Sequence, residues 1–153
     1  MLSDVRKALA GTVQLGMPSA RVLSAPPRKI DIPTSGALAY VQPDPDSYVE
    51  TWQTFTTGGR ATLHYQVVIM VPDDNPERRW DQLDDLIDPT STTVNVYAAI
   101  LANPTLGLDP TLYEVSAAPH LVGVRAPSRV SEADGSVTFY ELILPVQVIV
   151  KRS

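Results

Sequence analysis

The sequence predicts an α+β fold, with a mainly antiparallel sheet and with a helix pair and a short N-terminal helix packed on one face. Two observations carry this prediction. Two helical patterns lie back to back within residues 76–103, and Asp88-Pro89 separates them. On either side, at 61–71 and 137–151, apolar residues recur at every second position, which is typical of strands. Helices inserted between long strands of this kind are expected to cover one face of the sheet.

The length and composition are those of one globular domain covering residues 1–153. With 153 residues and 44% hydrophobic content, the chain can bury a core without disulfides, and it contains no cysteine. The net charge of −5 argues against a nucleic-acid-binding surface, which requires a concentrated basic face. No apolar run approaches the ~18 residues of a membrane span, and the first residues lack an apolar signal core. Folding in the cytosol is therefore expected.

The N-terminal region is predicted to form a short helix followed by extended segments. Three apolar residues at helical spacing indicate an amphipathic helix: Leu2, Val5 and Leu9. We expect this helix to stop at Gly11. Residues 17–47 are rich in proline and glycine, so they are expected to be extended segments joined by turns. The short strands predicted within them are Val22-Leu23 and Ala37 to Val41.

The next region predicts two strands, Tyr48 to Phe55 and Ala61 to Val71, joined by a turn at Thr57-Gly58-Gly59. One face of the second strand is apolar and the other is polar. The apolar residues are Leu63, Tyr65, Val67, Ile69 and Val71, and the polar residues are Thr62, His64 and Gln66. Pro72 is expected to end this strand.

The helix pair then begins at Asn75-Pro76, where an N-capping residue precedes a proline in the first helical position. The first helix has an apolar stripe formed by Trp80, Leu83, Leu86 and Ile87. The stripe of the second helix is formed by Val94, Tyr97, Ala98 and Leu101. Four of these residues are expected to be buried against the strands: Trp80, Leu83, Tyr97 and Leu101.

The C-terminal third predicts a loop at 103–111, two strands at Leu112 to Ala118 and Leu121 to Arg125, and one long final strand from Val137 to Lys151. The final strand has an uninterrupted apolar face: Tyr140, Leu142, Leu144, Val146, Val148 and Val150. Pro145 cannot donate a backbone hydrogen bond, so it is expected at a sheet edge or at a bulge.

An acidic run precedes and occupies the first helix of the pair. Its seven members are Asp73, Asp74, Glu77, Asp81, Asp84, Asp85 and Asp88. A solvated helix face is the favoured interpretation. Because Asp84, Asp85 and Asp88 lie at the unfavourable end of the helix dipole, a partner or an electronegative channel is the alternative. A metal site is disfavoured, because no histidine lies nearby in the sequence.

No pattern predicts catalysis or a cofactor. The two histidines, His64 and His120, accompany no nucleophile motif, and Gly58-Gly59 lacks the lysine of a phosphate-binding loop. We therefore predict a protein that is not an enzyme and binds no cofactor or metal. Near the first hairpin, Trp52 is expected to share a strand face with Tyr48, while Phe55 points the other way. These aromatic residues are interpreted either as core or as an interface.

The order of elements resembles that of the tail terminator, or tail completion, proteins of long-tailed phages, especially those of actinobacterial hosts. The resemblance rests on residues 80–86 (WDQLDDL), on the second helix at 94–101, and on the Asn103 to Gly107 turn (NPTLG). It implies a small α+β protein that forms a homo-hexameric ring on the tail tube and ends tube growth. The implied partners are the major tail tube protein and the head completion (stopper) protein, and DNA crosses the lumen without specific binding. No active site is implied, and the implied location is the neck of the virion, after assembly in the host cytoplasm.

The resemblance assigns no contact residues, so the contact residues are predicted from the physical properties of the sequence. The two regions expected to project are Thr51 to Arg60 and Arg125 to Gly135, because both are polar, rich in turns and attached to long strands. The predicted interface residues are Trp52, Phe55, Thr57, Gly58, Gly59, Arg60, Arg125, Ser128, Arg129 and Asp134. The predicted acidic surface, facing the lumen, consists of Asp81, Asp84, Asp85 and Asp88. Two alternatives remain open: another neck component between portal and tail, and a monomeric module that binds a small ligand.

Overall fold

The computed structural model describes residues 2–33, 36–51, 59–109, 120–121, 126–131 and 138–151. These residues form an α+β fold, as predicted, and they comprise three helices and seven strands. One strand, at 128–131, was not predicted, because it lies in the region from Arg125 to Gly135 that was expected to project as a loop. The helices are α1 (Leu2–Gly16), α2 (Pro76–Ile87) and α3 (Val96–Ala102). The strands are β1 (Arg21–Leu23), β2 (Leu38–Pro43), β3 (Val49–Thr51), β4 (Arg60–Pro72), β5 (His120–Leu121), β6 (Ser128–Ser131) and β7 (Thr138–Lys151).

The strands form one sheet in the order β1-β2-β4-β7-β5, in which β3 also pairs with β4 and β6 also pairs with β7. Only the pairing of β1 with β2 is parallel among the described strands, so the sheet is mainly antiparallel, as predicted. The central pair, β4 and β7, is matched without a break from Arg60 opposite Lys151 to Pro72 opposite Phe139. Over the 13 residues of β4 this ribbon is about 40 Å long.

The first face of the sheet carries the main core. The alternating apolar residues of β4, which were predicted to share one face, are all buried there. Their partners on β7 from Tyr140 to Val148 are buried as well. Tyr48 also packs on this face, with its ring edge-on to Tyr65 at a centroid distance of 5.6 Å. Helix α1 packs over β1 and β2 and contributes Val5, Leu9 and Val13 to the same cluster. Helix α3 packs in turn on α1.

Helix α1 is longer than predicted, because it passes through Gly11 and ends at Gly16. A single glycine inside a helix costs only about 1 kcal/mol relative to alanine, and the burial of Val13 beyond it offsets that cost. Gly11 is exposed, whereas Gly16 is where α1 meets α3. A Cβ atom on Gly16 would lie 2.6 Å from the Cα atom of Val96.

The predicted buried stripes of the helix pair are partly wrong. Leu83 is fully buried as predicted, but Trp80 is 38% exposed and Leu101 is 50% exposed, and Tyr97 is half-buried. Arg79 occupies the position beside Leu83 on the inner face of α2, with only 2% of its surface exposed. In α3 the buried residues are Val96, Ala99 and Ile100.

Two polar residues account for this change of face. The guanidinium of Arg79 donates two hydrogen bonds of 2.7 Å to the Asp74 carboxylate and one of 2.9 Å to Gln82, so a charged side chain is satisfied on the inner face. Asn95 caps α3 by accepting from the Ala98 N–H, and its amide donates to the carbonyls of Asp85 and Asp88. Because Asn95 is the N-cap, α3 begins at Val96. Val96 is therefore buried, whereas Val94 lies before the helix and is exposed.

The second face of the sheet is covered over part of its area. A smaller apolar cluster consists of Leu38, Val68, Met70 and Phe139, against which Leu23, Ile30 and Ile32 pack. The alternation in β4 does not predict this burial of Val68 and Met70. Pro145 lies further along the face, opposite Gln66 on β4. On the other side of β7, none of the described strands pairs with residues 142–145, and residues 122–125, between β5 and β6, lie outside the described residues. The expectation that Pro145 lies at an edge or a bulge therefore stays a prediction.

Other predicted elements agree in part with the structure. The short strands at β1 and β2 are confirmed, as are the Asn75 cap of α2 and the end of that helix before Pro89. The predicted strand Leu112 to Ala118, the end of the 103–111 loop, and most of Leu121 to Arg125 lie outside the described residues, and so does the hairpin turn at 57–58. None of the described helices has both the length and the apolar character needed to span a membrane.

The contact between α1 and α3 predicts opposite effects for two glycines of α1. Gly16→Ala should lower the free energy of unfolding by about 1–3 kcal/mol, because its Cβ would overlap the Val96 backbone. Gly11→Ala is the matched control, since its Cβ would meet nothing within 4 Å, and it should gain about 0.5–1 kcal/mol from helix propensity. Urea denaturation followed by circular dichroism measures both values. Similar values for the two variants would contradict the close approach of the helices.

Candidate functional site

The predicted interface residues are only partly within the described chain. Gly59, Arg60, Ser128 and Arg129 are described, whereas the other six lie outside it: Trp52, Phe55, Thr57, Gly58, Arg125 and Asp134. Arg60 is opposite Lys151 at one end of the ribbon, and Ser128 is opposite Glu141. Since these two positions on β7 are ten residues apart, the structure separates Arg60 from Ser128 by roughly 33 Å along the strand. The described parts of the two predicted contact regions therefore lie at different places along the ribbon.

Arg129 already has a partner within the chain. Its Nε lies 2.7 Å from the Oδ2 of Asp73, an ion pair that joins β6 to the turn after β4. The hydrogen bond from Arg129 lowers the pKa of Asp73, and a hydrogen bond from Tyr140 lowers it further. Burial raises the pKa of Tyr140, and the bond to Asp73 raises it further. Arg129 is 65% exposed at its side chain, so it contributes both to this internal pair and to the surface.

The acidic run divides into structural and surface residues. Asp88 accepts hydrogen bonds from the Thr90 hydroxyl at 2.7 Å and from the Thr90 N–H at 2.8 Å, and these bonds lower its pKa. It therefore stabilises the turn that separates α2 from α3. Asp81, Asp84 and Asp85 are exposed on α2. Three of the four residues predicted for the acidic surface are thus on the surface, and the fourth is half-buried in a turn.

Asp74 is the second structural member of the run. The pKa of the Asp74 carboxyl is lowered to about 2, mainly because the carboxylate accepts bidentate hydrogen bonds from Arg79. The same bonds raise the pKa of Arg79. The sequence contains a signal for this pair. Asp74 directly precedes the capping residue Asn75, and Arg79 lies five residues after Asp74. Helical periodicity alone assigned the inner face of α2 to Trp80.

One groove runs between α2 and the end of α1, with a volume of about 690 Å³. Asp81 and Asp85 line it together with Gln82 and Arg78, while Asp84 points elsewhere on the helix surface. The opposite wall is formed by the chain from Gly16 to Ala20 and by Gly36 and Ala37. The groove is therefore mixed in polarity, with carboxylates along one side only.

A second cavity, of about 410 Å³, lies on the second face of the sheet, beside the small apolar cluster. Its walls are formed by Asp44, Asp46, Gln66, Ala126, Ser128, Glu141, Ile143 and Pro145. Ser128 is the predicted interface residue that lines it. Gln66 is held by a hydrogen bond of 3.0 Å from the Gln42 amide to its Oε1. This cavity thus joins residues from β4, β6 and β7 with the loop that follows β2.

Glu141 is the functional candidate that the sequence interpretation missed. Burial raises the pKa of its carboxyl. The pKa of the Tyr40 hydroxyl is also raised, mainly by burial and to a smaller extent by the charge of Glu141. A signal was present in the sequence, because Glu141 is the only charged residue between Val137 and Val150. A lone charge inside a long apolar strand is a stronger indication of a site than a run of exposed acids.

Of the two histidines, only the side chain of His64 is described. The Nε2 of His64 lies 3.1 Å from the Oε2 of Glu50, across the pairing of β3 with β4. His120 begins β5 opposite Gln147. Within the part of the chain that the structure describes, no group of three potential ligands from His, Asp and Glu is placed to hold a metal ion.

Comparison with known proteins assigns no family to this chain. Neither models of protein families nor the sequences of curated proteins give a match. The resemblance to tail terminator proteins therefore stays a prediction from the sequence. Function is inferred from that resemblance together with the fold and the two surfaces.

The Asp74–Arg79 pair predicts a pH dependence of stability. The folded-state pKa of Asp74 lies below its usual value of 3.8, at about 2, so the pair stabilises the fold above about pH 4. That contribution is lost as the pH falls toward 2. Asp74→Asn should lower the stability at neutral pH and reduce its decline between about pH 4 and pH 2.

Urea denaturation across this pH range measures the effect. Asp84→Asn is the matched control, because it removes an exposed carboxylate from the same acidic run and should leave the stability at neutral pH nearly unchanged. A decline in Asp74→Asn as steep as that of the unaltered protein would show that the pair contributes nothing to acid stability.

Proposed function

We propose that this chain is a structural protein of a long-tailed phage that caps the tail tube, ends its polymerisation and forms the head–tail joining interface. The single observation that supports an assembly role most directly is the arrangement of the sheet. Helices α1 and α3 cover its first face, while its second face carries polar residues on the two longest strands, Gln66 on β4 and Glu141 on β7. Such a surface is typical of an interface that is partly apolar and partly polar.

The construction of this surface favours recognition by shape. Gln66, Glu141 and Pro145 lie on β4 and β7, which are paired without a break over all 13 residues of β4. Residues held by a continuous ladder keep their relative positions, and binding surfaces on such elements are more precise than those on loops. A protein that recognises the end of a tube needs this kind of rigid, patterned surface.

Capping a tube requires no chemistry, and the proposal includes no catalytic step, cofactor or metal. In an open-ended assembly each ring offers an edge that accepts the next ring. A capping protein matches that edge on one side and presents a different surface on the other. In the proposed hexamer one side contacts the major tail tube protein and the other side contacts the head completion protein, in the neck of the virion.

The exposed acids of α2 support a path for DNA through the ring. Asp81, Asp84 and Asp85 are exposed, and the chain carries a net charge of −5. Carboxylates along a channel repel the phosphates of DNA, so DNA passes without being held. In the proposed assembly, α2 therefore faces the lumen.

One observation favours a second candidate function, a module that binds a small ligand. The groove beside α2 has a volume of about 690 Å³, within the range of about 300–1,000 Å³ that is usual for ligand pockets. Mass measurement at high protein concentration separates the two candidates, since a ligand module stays monomeric and a ring-forming protein associates. Another neck component, a stopper or adaptor, also assembles as a ring and is separated by genetics.

Removal of the gene for this chain from its phage tests the proposal. Because the tube would lack its cap, we expect full heads without tails, together with headless tails whose tubes are overgrown or uncapped. Electron microscopy of the lysate shows both products, and expression of the unaltered gene in the host is the control that restores complete particles.

Two other outcomes would contradict the capping role. Tails of normal length accompanied by heads that leak DNA would indicate a head-side stopper. Intact, infectious particles would exclude any role in the neck.

A further inference from the structure

We draw no further inference here: the strongest candidate, the outward apolar surface at α3, where Val94 is 71% and Leu101 is 50% exposed, carries no proposal because nothing in the described part of the chain shows what covers it.

Discussion

The register between β4 and β7 is the constraint on which the rest of the structure depends. From Arg60 opposite Lys151 to Pro72 opposite Phe139, each apolar residue of one strand faces an apolar residue of the other on the first face. A slip of one residue would move these side chains to the opposite face and expose them. Because the register also sets the second face, the same pairing brings Gln66 beside Pro145 and places Glu141 at the wall of the acidic cavity.

The helices take their positions from this core and from a few polar contacts. Helix α1 packs on the sheet, and Gly16 allows α3 to approach it closely at Val96. The bond between Arg79 and Asp74 then sets which side of α2 faces inward, and Asn95 joins the end of α2 to the start of α3. As a result the carboxylates of α2 point outward and Trp80 lies partly at the surface.

The strands could be predicted from sequence better than the helix faces, for physical reasons. Alternation with a period of two is unambiguous over 13 or 14 residues, so β4 and β7 were predicted within one residue. In the 12 residues of α2, helical periodicity favours the hydrophobic Trp80 over Arg79 for the inner face. Periodicity contains no information about the hydrogen bonds from the buried Arg79 guanidinium to Asp74. Glu141 was missed because the burial of its carboxyl depends on residues that are distant in sequence. The contacts predicted at Trp52 and Phe55 lie outside the described residues.

We propose that this protein recognises the end of a tail tube through surfaces of a rigid sheet. The most direct test is to mix the purified, gold-labelled protein with tubes assembled from the major tail protein of the same phage and to image them by electron microscopy. If the protein caps tubes, gold should be bound at one end of each tube, and tubes capped in this way should no longer grow when more tail protein is added. Gold along the sides of the tubes, or continued growth of labelled ends, would contradict it.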